Sequence, residues 1–206
     1  MVDNEPTKLA LPVSELRAGM GYKLASSLIV PRPIGWIGTV SSDGVRNLAP
    51  YSFFNCVSGN PPTVVFSPGA GGRKDTLDNV RATGEFTVNI VTEEVVEAMN
   101  ASAASVDASV DEFEAVGVTA VQSTEVGPPM VGECRANFEC KVTHLIPVGD
   151  PIDGNVLVIG EVVVVHINDD IFDGSYIDQA ALGAIGRHAG SIYSRSNDQF
   201  SIVRPD

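Results

Sequence analysis

Short runs in which apolar and polar residues alternate, or in which β-branched residues cluster, dominate this chain and predict β-strands. An apolar run at 34–40 is followed by Asp43-Gly44, and Asp-Gly between two strand-like runs indicates a hairpin. Its return strand is predicted at 45–55. Further strands are predicted at 63–67, 85–91, 135–142 and 156–167.

The segment 135–142 alternates most regularly, which is typical of a strand with one buried face. Its predicted inward-facing residues are Ala136, Phe138, Cys140 and Val142. Its predicted water-facing residues are Arg135, Asn137, Glu139 and Lys141. In 156–167 nearly all residues are β-branched, and the interruption by Gly160-Glu161 predicts a β-bulge.

Helical patterns are confined to the middle of the chain. Leu77 and Val80 at helical spacing, followed by Gly84, predict a short capped helix. Two more helices are predicted at 92–99 and 111–115. Because the helices do not alternate with the strands, the pattern favours a mainly β fold with inserted helices, in the form of a closed or partly closed antiparallel barrel.

One predicted strand, 45–55, contains Pro50 beside Tyr51, Ser52, Phe53 and Phe54. A proline cannot donate a hydrogen bond to a sheet, so the strand should lie at an edge or a bulge, with backbone groups left free. Free backbone donors, a small hydroxyl and flat aromatic surface together predict contact with a planar heteroaromatic ligand. The alternative is that some of these aromatic residues are barrel core.

A glycine-rich turn at 69–72 leads through Arg73, Lys74, Asp75 and Thr76 into the first predicted helix. A helix N-terminus offers free N–H donors, so the turn predicts a phosphate site. It is not a P-loop, because Arg73 precedes Lys74 and Asp75 follows it. The alternative is that Asp75 caps the helix and both cations are solvated.

The 206 residues predict one large domain with a formal net charge of −13, which argues against a nucleic-acid partner. Residues 32–81, with five cations and three acids, carry +2. This contrast indicates a small anionic ligand there, unless the clustering is chance. No run approaches the roughly 18 apolar residues of a membrane helix, and the acidic first residues lack signal-peptide features. A cytoplasmic protein without membrane contact is predicted.

The cysteines and histidines predict no metal site, because none of them forms the close pairs that zinc sites use. The cysteines Cys56, Cys134 and Cys140 are predicted to be small buried apolar residues. His144 and His166 lie in predicted strands and are expected to be structural. His188, in a glycine-rich loop, is either a donor near a ligand or an ordinary surface residue.

Several motifs follow one another in a specific order. They are Val-Pro-Arg-Pro-Ile-Gly-Trp-Ile-Gly-Thr at 30–39, Asn-Leu-Ala-Pro-Tyr-Ser-Phe-Phe at 47–54, Pro-Pro at 61–62 with Phe-Ser at 66–67, Lys-Asp-Thr at 74–76, and Gly-Arg at 186–187. The set resembles the flavin reductase-like family of FMN-binding split barrels. The resemblance implies a domain at 21–195, between an N-terminal extension at 1–20 and a C-terminal tail at 196–206.

The resemblance further implies a Greek-key-like split β-barrel of the FMN-binding type, and a homodimer with FMN near its interface. The residues that it places against FMN are Trp36, Thr39, Asn47, Ala49, Pro50, Tyr51, Ser52, Phe53, Ser67, Arg73, Lys74, Asp75 and Thr76. Arg187 and His188 fall where the family's C-terminal loop approaches flavin or nicotinamide. No residue is expected to act as a catalytic acid or base, because the flavin supplies the chemistry.

Three functions remain open at this point. The first is an FMN-dependent oxidoreductase that takes hydride from NADH or NADPH. The second is a flavin-binding electron carrier that serves a redox partner protein and has little nicotinamide activity. The third is a barrel that binds no flavin.

Overall fold

The computed structural model describes residues 8–69, 75–150 and 152–205. Its helices are α1 (Met20–Leu28), α2 (Asp75–Thr83), α3 (Val96–Ala101), α4 (Glu112–Val116) and α5 (Gln179–Leu182). Its strands are β1 (Arg32–Pro33), β2 (Gly35–Val40), β3 (Arg46–Tyr51), β4 (Phe54–Gly59), β5 (Pro62–Phe66), β6 (Glu85–Ile90), β7 (Ala120–Val121), β8 (Met130–Val131), β9 (Ala136–Val148), β10 (Asn155–Ile167), β11 (Ile185–Arg187) and β12 (Tyr193–Arg195).

Seven strands form one antiparallel sheet in the order β3-β2-β6-β9-β10-β5-β4. The strands β3 and β4 lie at its opposite edges, although only Ser52 and Phe53 separate them in the chain. Because two residues span so short a distance, the sheet must curl until its edges approach each other. This arrangement confirms the split barrel. Smaller sheets are formed by β1-β11-β12 and by β7-β8.

The strand β2 is buried on both faces, which explains why it has no polar side. Trp36 belongs to the core cluster that includes residues of α3 and α4, whereas Ile37 belongs to the cluster that includes Phe66 and Phe86. Alternate residues of a strand point to opposite faces, so β2 joins the two cores.

The barrel strands confirm the predicted bulge and correct the predicted return strand. The pairing of β9 with β10 shifts register between Ile159 and Gly160. A Cβ on Gly160 would lie 2.5 Å from Phe86 Cε1, so only glycine fits there. The predicted strand 45–55 is in fact broken at Ser52, where the chain passes from β3 to β4.

Three other expectations differ from the structure. The face of β9 predicted to face water is partly internal, because Asn137 and Glu139 are buried. Asn137 Nδ2 donates to Asn89 Oδ1, and the Glu139 carboxylate accepts from the Thr124 N–H. Cys56 is exposed on the edge strand β4, whereas Cys134 and Cys140 are buried. The helix predicted at 92–99 begins with a 3₁₀ turn, and α3 follows it.

The described residues include no helix that is long and apolar enough to cross a membrane. They also include no group of three or more histidine, cysteine or acidic side chains suited to a metal ion.

Candidate functional site

Two cavities adjoin each other at Pro50 of β3, and a third, of about 350 Å³, shares Asn47, Asp75 and Glu112 with the smaller of the two. The larger, about 570 Å³, and the smaller, about 180 Å³, share Pro50 and Ala103. A small-molecule site usually occupies about 300–1,000 Å³, so the two together suit a cofactor with a second ligand. The smaller cavity is lined by Asn47, Ala49, Pro50, Tyr51, Asp75, Thr76, Ser102, Ala103, Ala104, Ser105, Val106 and Glu112. The larger is lined by Tyr22, Lys23, Ser26, Ser27, Arg32, Ile34, Pro50, Ser52, Met99, Asn100, Ala103, Arg187, His188, Ala189, Gly190 and Tyr193.

The edge position of β3 confirms the expectation drawn from Pro50. The outward-facing N–H of Leu48 donates to Glu112 Oε2 at 2.5 Å. Outward-facing backbone groups recur at every second residue, so the next outward position is Pro50, which has no N–H. The edge therefore offers mainly carbonyl acceptors between these residues, in contrast to the free donors that the sequence suggested.

Asn47 brings an unused donor to the smaller cavity. Its side chain is buried, and its Nδ2 finds no hydrogen-bond partner among the described residues. Its Oδ1 accepts from Thr76 Oγ1 at 3.4 Å. Because a buried donor without a partner is unfavourable, a ligand oxygen in the cavity would satisfy it. The hydroxyl and phosphate oxygens of FMN are suitable acceptors.

Tyr51 forms part of the same wall. Burial raises the pKa of its hydroxyl to about 12, although a hydrogen bond with Thr76 opposes the shift. The hydroxyl therefore stays protonated near neutral pH. Its ring packs on Phe66 with centroids 5.2 Å apart. Tyr51 thus belongs both to the core and to the cavity.

The far end of the smaller cavity is acidic within the described part of the chain. Asp75, the first residue of α2, lies there with Glu112. Burial raises the pKa of Glu112, and the nearby Asp75 and Asp111 raise it further, while the Leu48 N–H opposes them. The predicted phosphate residues Arg73 and Lys74 lie outside the described residues. Their role remains a prediction from the sequence.

The larger cavity contains Arg32, which the sequence-based site did not include. Arg32 is 7% exposed. It donates to the carbonyl oxygens of Ser26, Ile29 and His188, and to Ser52 Oγ at 3.3 Å. The signal in the sequence is the Pro-Arg-Pro motif, but the partners of Arg32 become visible only when the fold brings them together.

Nine of the predicted contact residues line these two cavities, and four others do not. The nine are Asn47, Ala49, Pro50, Tyr51, Ser52, Asp75, Thr76, Arg187 and His188. The four are Trp36, Thr39, Phe53 and Ser67. The sequence also missed the contributions of α1, through Tyr22 and Lys23, and of α3, through Met99 and Asn100.

Each of the four has a structural reason to lie elsewhere. Trp36 is fully buried and its Nε1–H donates to Ser102 Oγ at 2.8 Å, so it supports the cavity wall from behind. Thr39 is fully buried and accepts from Asn79 Nδ2. Phe53 is 42% exposed and packs on Tyr22, and Ser67 accepts from the Asn155 side chain.

Residues 26–184 match the family described as "Flavin reductase like domain". The chain belongs to the flavin reductase-like family. A protein of Aquifex aeolicus strain VF5 is 38% identical over 179 residues, which are 85% of this chain and 89% of that protein.

Two solved structures of the flavin reductase-like fold superpose closely on this chain. Nitrilotriacetate monooxygenase component B from Bacillus cereus has a TM-score of 0.92 at 34% identity, covering 96% of this chain and 100% of that one. The 2-nitrobenzoate 2-nitroreductase NbaA of Pseudomonas fluorescens has a TM-score of 0.87 at 28% identity, covering 96% of each chain. The family and these neighbours support an oxidoreductase that uses flavin.

Proposed function

We propose that the chain is an FMN-dependent oxidoreductase that takes electrons from NADH or NADPH and passes them to a second acceptor. The observation that carries this proposal is the pair of adjoining cavities along β3, one of which contains the unsatisfied buried donor of Asn47. Membership of the flavin reductase-like family supports it.

The polar part of FMN would occupy the smaller cavity, against Asn47, Tyr51 and Thr76. The predicted cations Arg73 and Lys74, which precede Asp75 in the sequence, would hold the phosphate. The shared residues Pro50 and Ala103 would then direct the ring toward the larger cavity. Most of the larger cavity would remain for the molecule that exchanges electrons with the flavin.

The FMN held by these residues would supply the redox chemistry that links the nicotinamide to the acceptor. The chain's own task is to bind, orient and exclude water. The composition of the larger cavity suits that task, because its walls combine apolar surface from Ile34 and Met99 with a few polar groups.

Anaerobic mixing of the purified, FMN-loaded protein with NADH or with NADPH tests the proposal. We expect the yellow absorbance of the flavin to bleach with at least one nicotinamide, and the protein to oxidise it repeatedly in the presence of an electron acceptor. A protein that stays yellow and turns over neither nicotinamide is instead the electron carrier. That result would reject the proposed oxidoreductase function.

We also propose that the protein is a homodimer and that it is cytoplasmic, as the sequence predicts. Three apolar residues of the C-terminal tail, Phe200, Ile202 and Val203, are 79–89% exposed and support an association that covers them. Light scattering coupled to size exclusion should give twice the chain mass of 21.7 kDa. A single-chain mass would contradict the dimer.

A further inference from the structure

The larger cavity has a charge opposite to that of the whole protein. Lys23, Arg32 and Arg187 line it, whereas the described residues contribute no aspartate or glutamate to its lining. The chain as a whole has 26 acids and 13 cations. The neighbouring smaller cavity is lined by Asp75 and Glu112. Among the described residues, cationic side chains therefore line the larger cavity and acidic side chains the smaller one.

Arg32 is a buried cation without an acidic partner. An arginine side chain stays protonated in proteins, so the charge is permanent. The groups that accept hydrogen bonds from it are neutral, namely three carbonyl oxygens and the hydroxyl of Ser52. Within the described ranges no carboxylate lies near enough to form a salt bridge with it. Burial of an unpaired charge is unfavourable, and an anionic ligand would relieve it.

The pairing of β1 with β11 places a second arginine beside the first. Arg32 and Arg187 are Cα partners across the two strands. Like charges directly opposite each other destabilise a sheet. Arg187 lies over the Tyr193 ring, 4.4 Å from its centroid, and donates to the Gly190 carbonyl. Neither contact neutralises its charge, and both arginines line the larger cavity.

We infer that the larger cavity binds an oxyanion, a carboxylate or a phosphate, of the molecule that exchanges electrons with the flavin. Arg32 is the buried anchor, and Arg187 and Lys23 complete a cationic wall. The apolar surface of Ile34 and Met99 would contact the rest of the ligand. This inference rests on the proposed function. The oxyanion could belong to the electron acceptor or to the nicotinamide dinucleotide, and the experiment separates these sources.

The first part of the experiment compares benzoate with benzamide, its neutral analogue, by calorimetric titration of the FMN-loaded protein. Nicotinamide mononucleotide and nicotinamide riboside, which differ by a phosphate, form the second pair. We expect at least one oxyanion-bearing probe to bind about tenfold more tightly than its partner, since hydrogen bonds to charged groups are stronger than those to neutral ones. A preference for benzoate assigns the oxyanion to a carboxylate acceptor, and a preference for the mononucleotide assigns it to a phosphate of the dinucleotide.

The second part uses the double variant Lys23→Gln with Arg187→Gln, which keeps the buried Arg32 and its hydrogen bonds. In this variant we expect the ratio of the two affinities within the pair, oxyanion-bearing probe over its partner, to fall about tenfold, because charge-assisted hydrogen bonds are removed. The control is Arg17→Gln, because Arg17 is exposed and lines neither cavity. This control should keep the full preference for the oxyanion-bearing probe. Equal affinities within both pairs, or a preference that the double variant retains, would overturn the inference.

FMN and riboflavin titrations separate this inference from the proposed function. A double variant that loses affinity for FMN but not for riboflavin would show that the cationic wall holds the phosphate of FMN itself, which would also overturn the inference. A wild-type protein that binds neither flavin rejects the proposed function. The probe pairs, repeated on the flavin-free protein, would then decide the anion site alone.

Discussion

Glu139→Gln should lower the free energy of unfolding by about 3 kcal/mol or more, because unsatisfied buried donors cost about 1–3 kcal/mol each. The Glu139 carboxylate is fully buried. It accepts hydrogen bonds from the Thr124 N–H and hydroxyl, from the N–H groups of Glu125 and Val126, and from His166 Nε2 at 2.6 Å. A glutamine would offer one acceptor oxygen and would turn an NH₂ group toward donors.

Thermal and denaturant unfolding measure this effect, and the melting temperature should fall by roughly 6–12 °C for a chain of this size. Glu133→Gln is the matched control. Glu133 also accepts a backbone N–H, that of Thr119 at 3.0 Å, but its side chain is exposed. The control should change stability by less than about 0.5 kcal/mol. Equal stability of the two variants would show that the buried carboxylate does not stabilise the segment 124–126.

The same carboxylate predicts how stability depends on pH. Burial alone would raise the pKa of Glu139, but its hydrogen bonds with Thr124, His166 and Glu125 outweigh burial and lower the pKa to about 2. In the unfolded chain the pKa is higher, so the stabilisation is complete above about pH 4.5 and is lost as the pH falls toward 2. Unfolding measured from pH 6 to 2 should show a smaller decrease in Glu139→Gln than in the wild type.

Asn47→Leu should weaken FMN binding by at least about tenfold, because a hydrogen bond to a charged group contributes about 1.5–3 kcal/mol. The same substitution should leave the flavin-free protein equally stable or more stable. The reason is that Asn47 Nδ2 is buried without a partner among the described residues, so leucine removes an unsatisfied donor. A loss of FMN affinity without a loss of stability distinguishes a ligand-binding residue from a structural one.

Asn89→Leu is the matched control for this prediction. Asn89 is also buried, but its Nδ2 donates to the Trp36 carbonyl oxygen at 2.8 Å and it lines none of the cavities along β3. The control should therefore lose stability and retain its affinity for FMN. If Asn47→Leu instead destabilises the flavin-free protein and binds FMN normally, Asn47 is a structural residue and the assignment of the smaller cavity fails.

The local features of the fold could be predicted because they depend on neighbouring residues. Pro50 excludes β3 from the middle of a sheet, and Gly160 marks the bulge of β10. The break between β3 and β4 escaped prediction, because 45–55 has no local signal for a change from one sheet edge to the other. That change is imposed by closure of the barrel.

The burial of Glu139 and the environment of Arg32 could not be predicted, because both depend on distant segments. Alternation along β9 identifies two faces, but it does not show that the segment with Thr124 covers the polar one. Arg32 meets Arg187 only through the pairing of β1 with β11. Trp36 and Thr39 line neither cavity for a related reason: both faces of β2 are covered, so both side chains are buried in the core.

The two cavities that meet at Pro50 are proposed to form a flavin site, and titration of FMN with the purified wild-type protein tests this claim most directly. Flavin fluorescence reports binding, and riboflavin serves as the comparison ligand without phosphate. We predict saturable quenching of FMN fluorescence and weaker binding of riboflavin. A colourless protein that leaves the fluorescence of both flavins unchanged would contradict the claim.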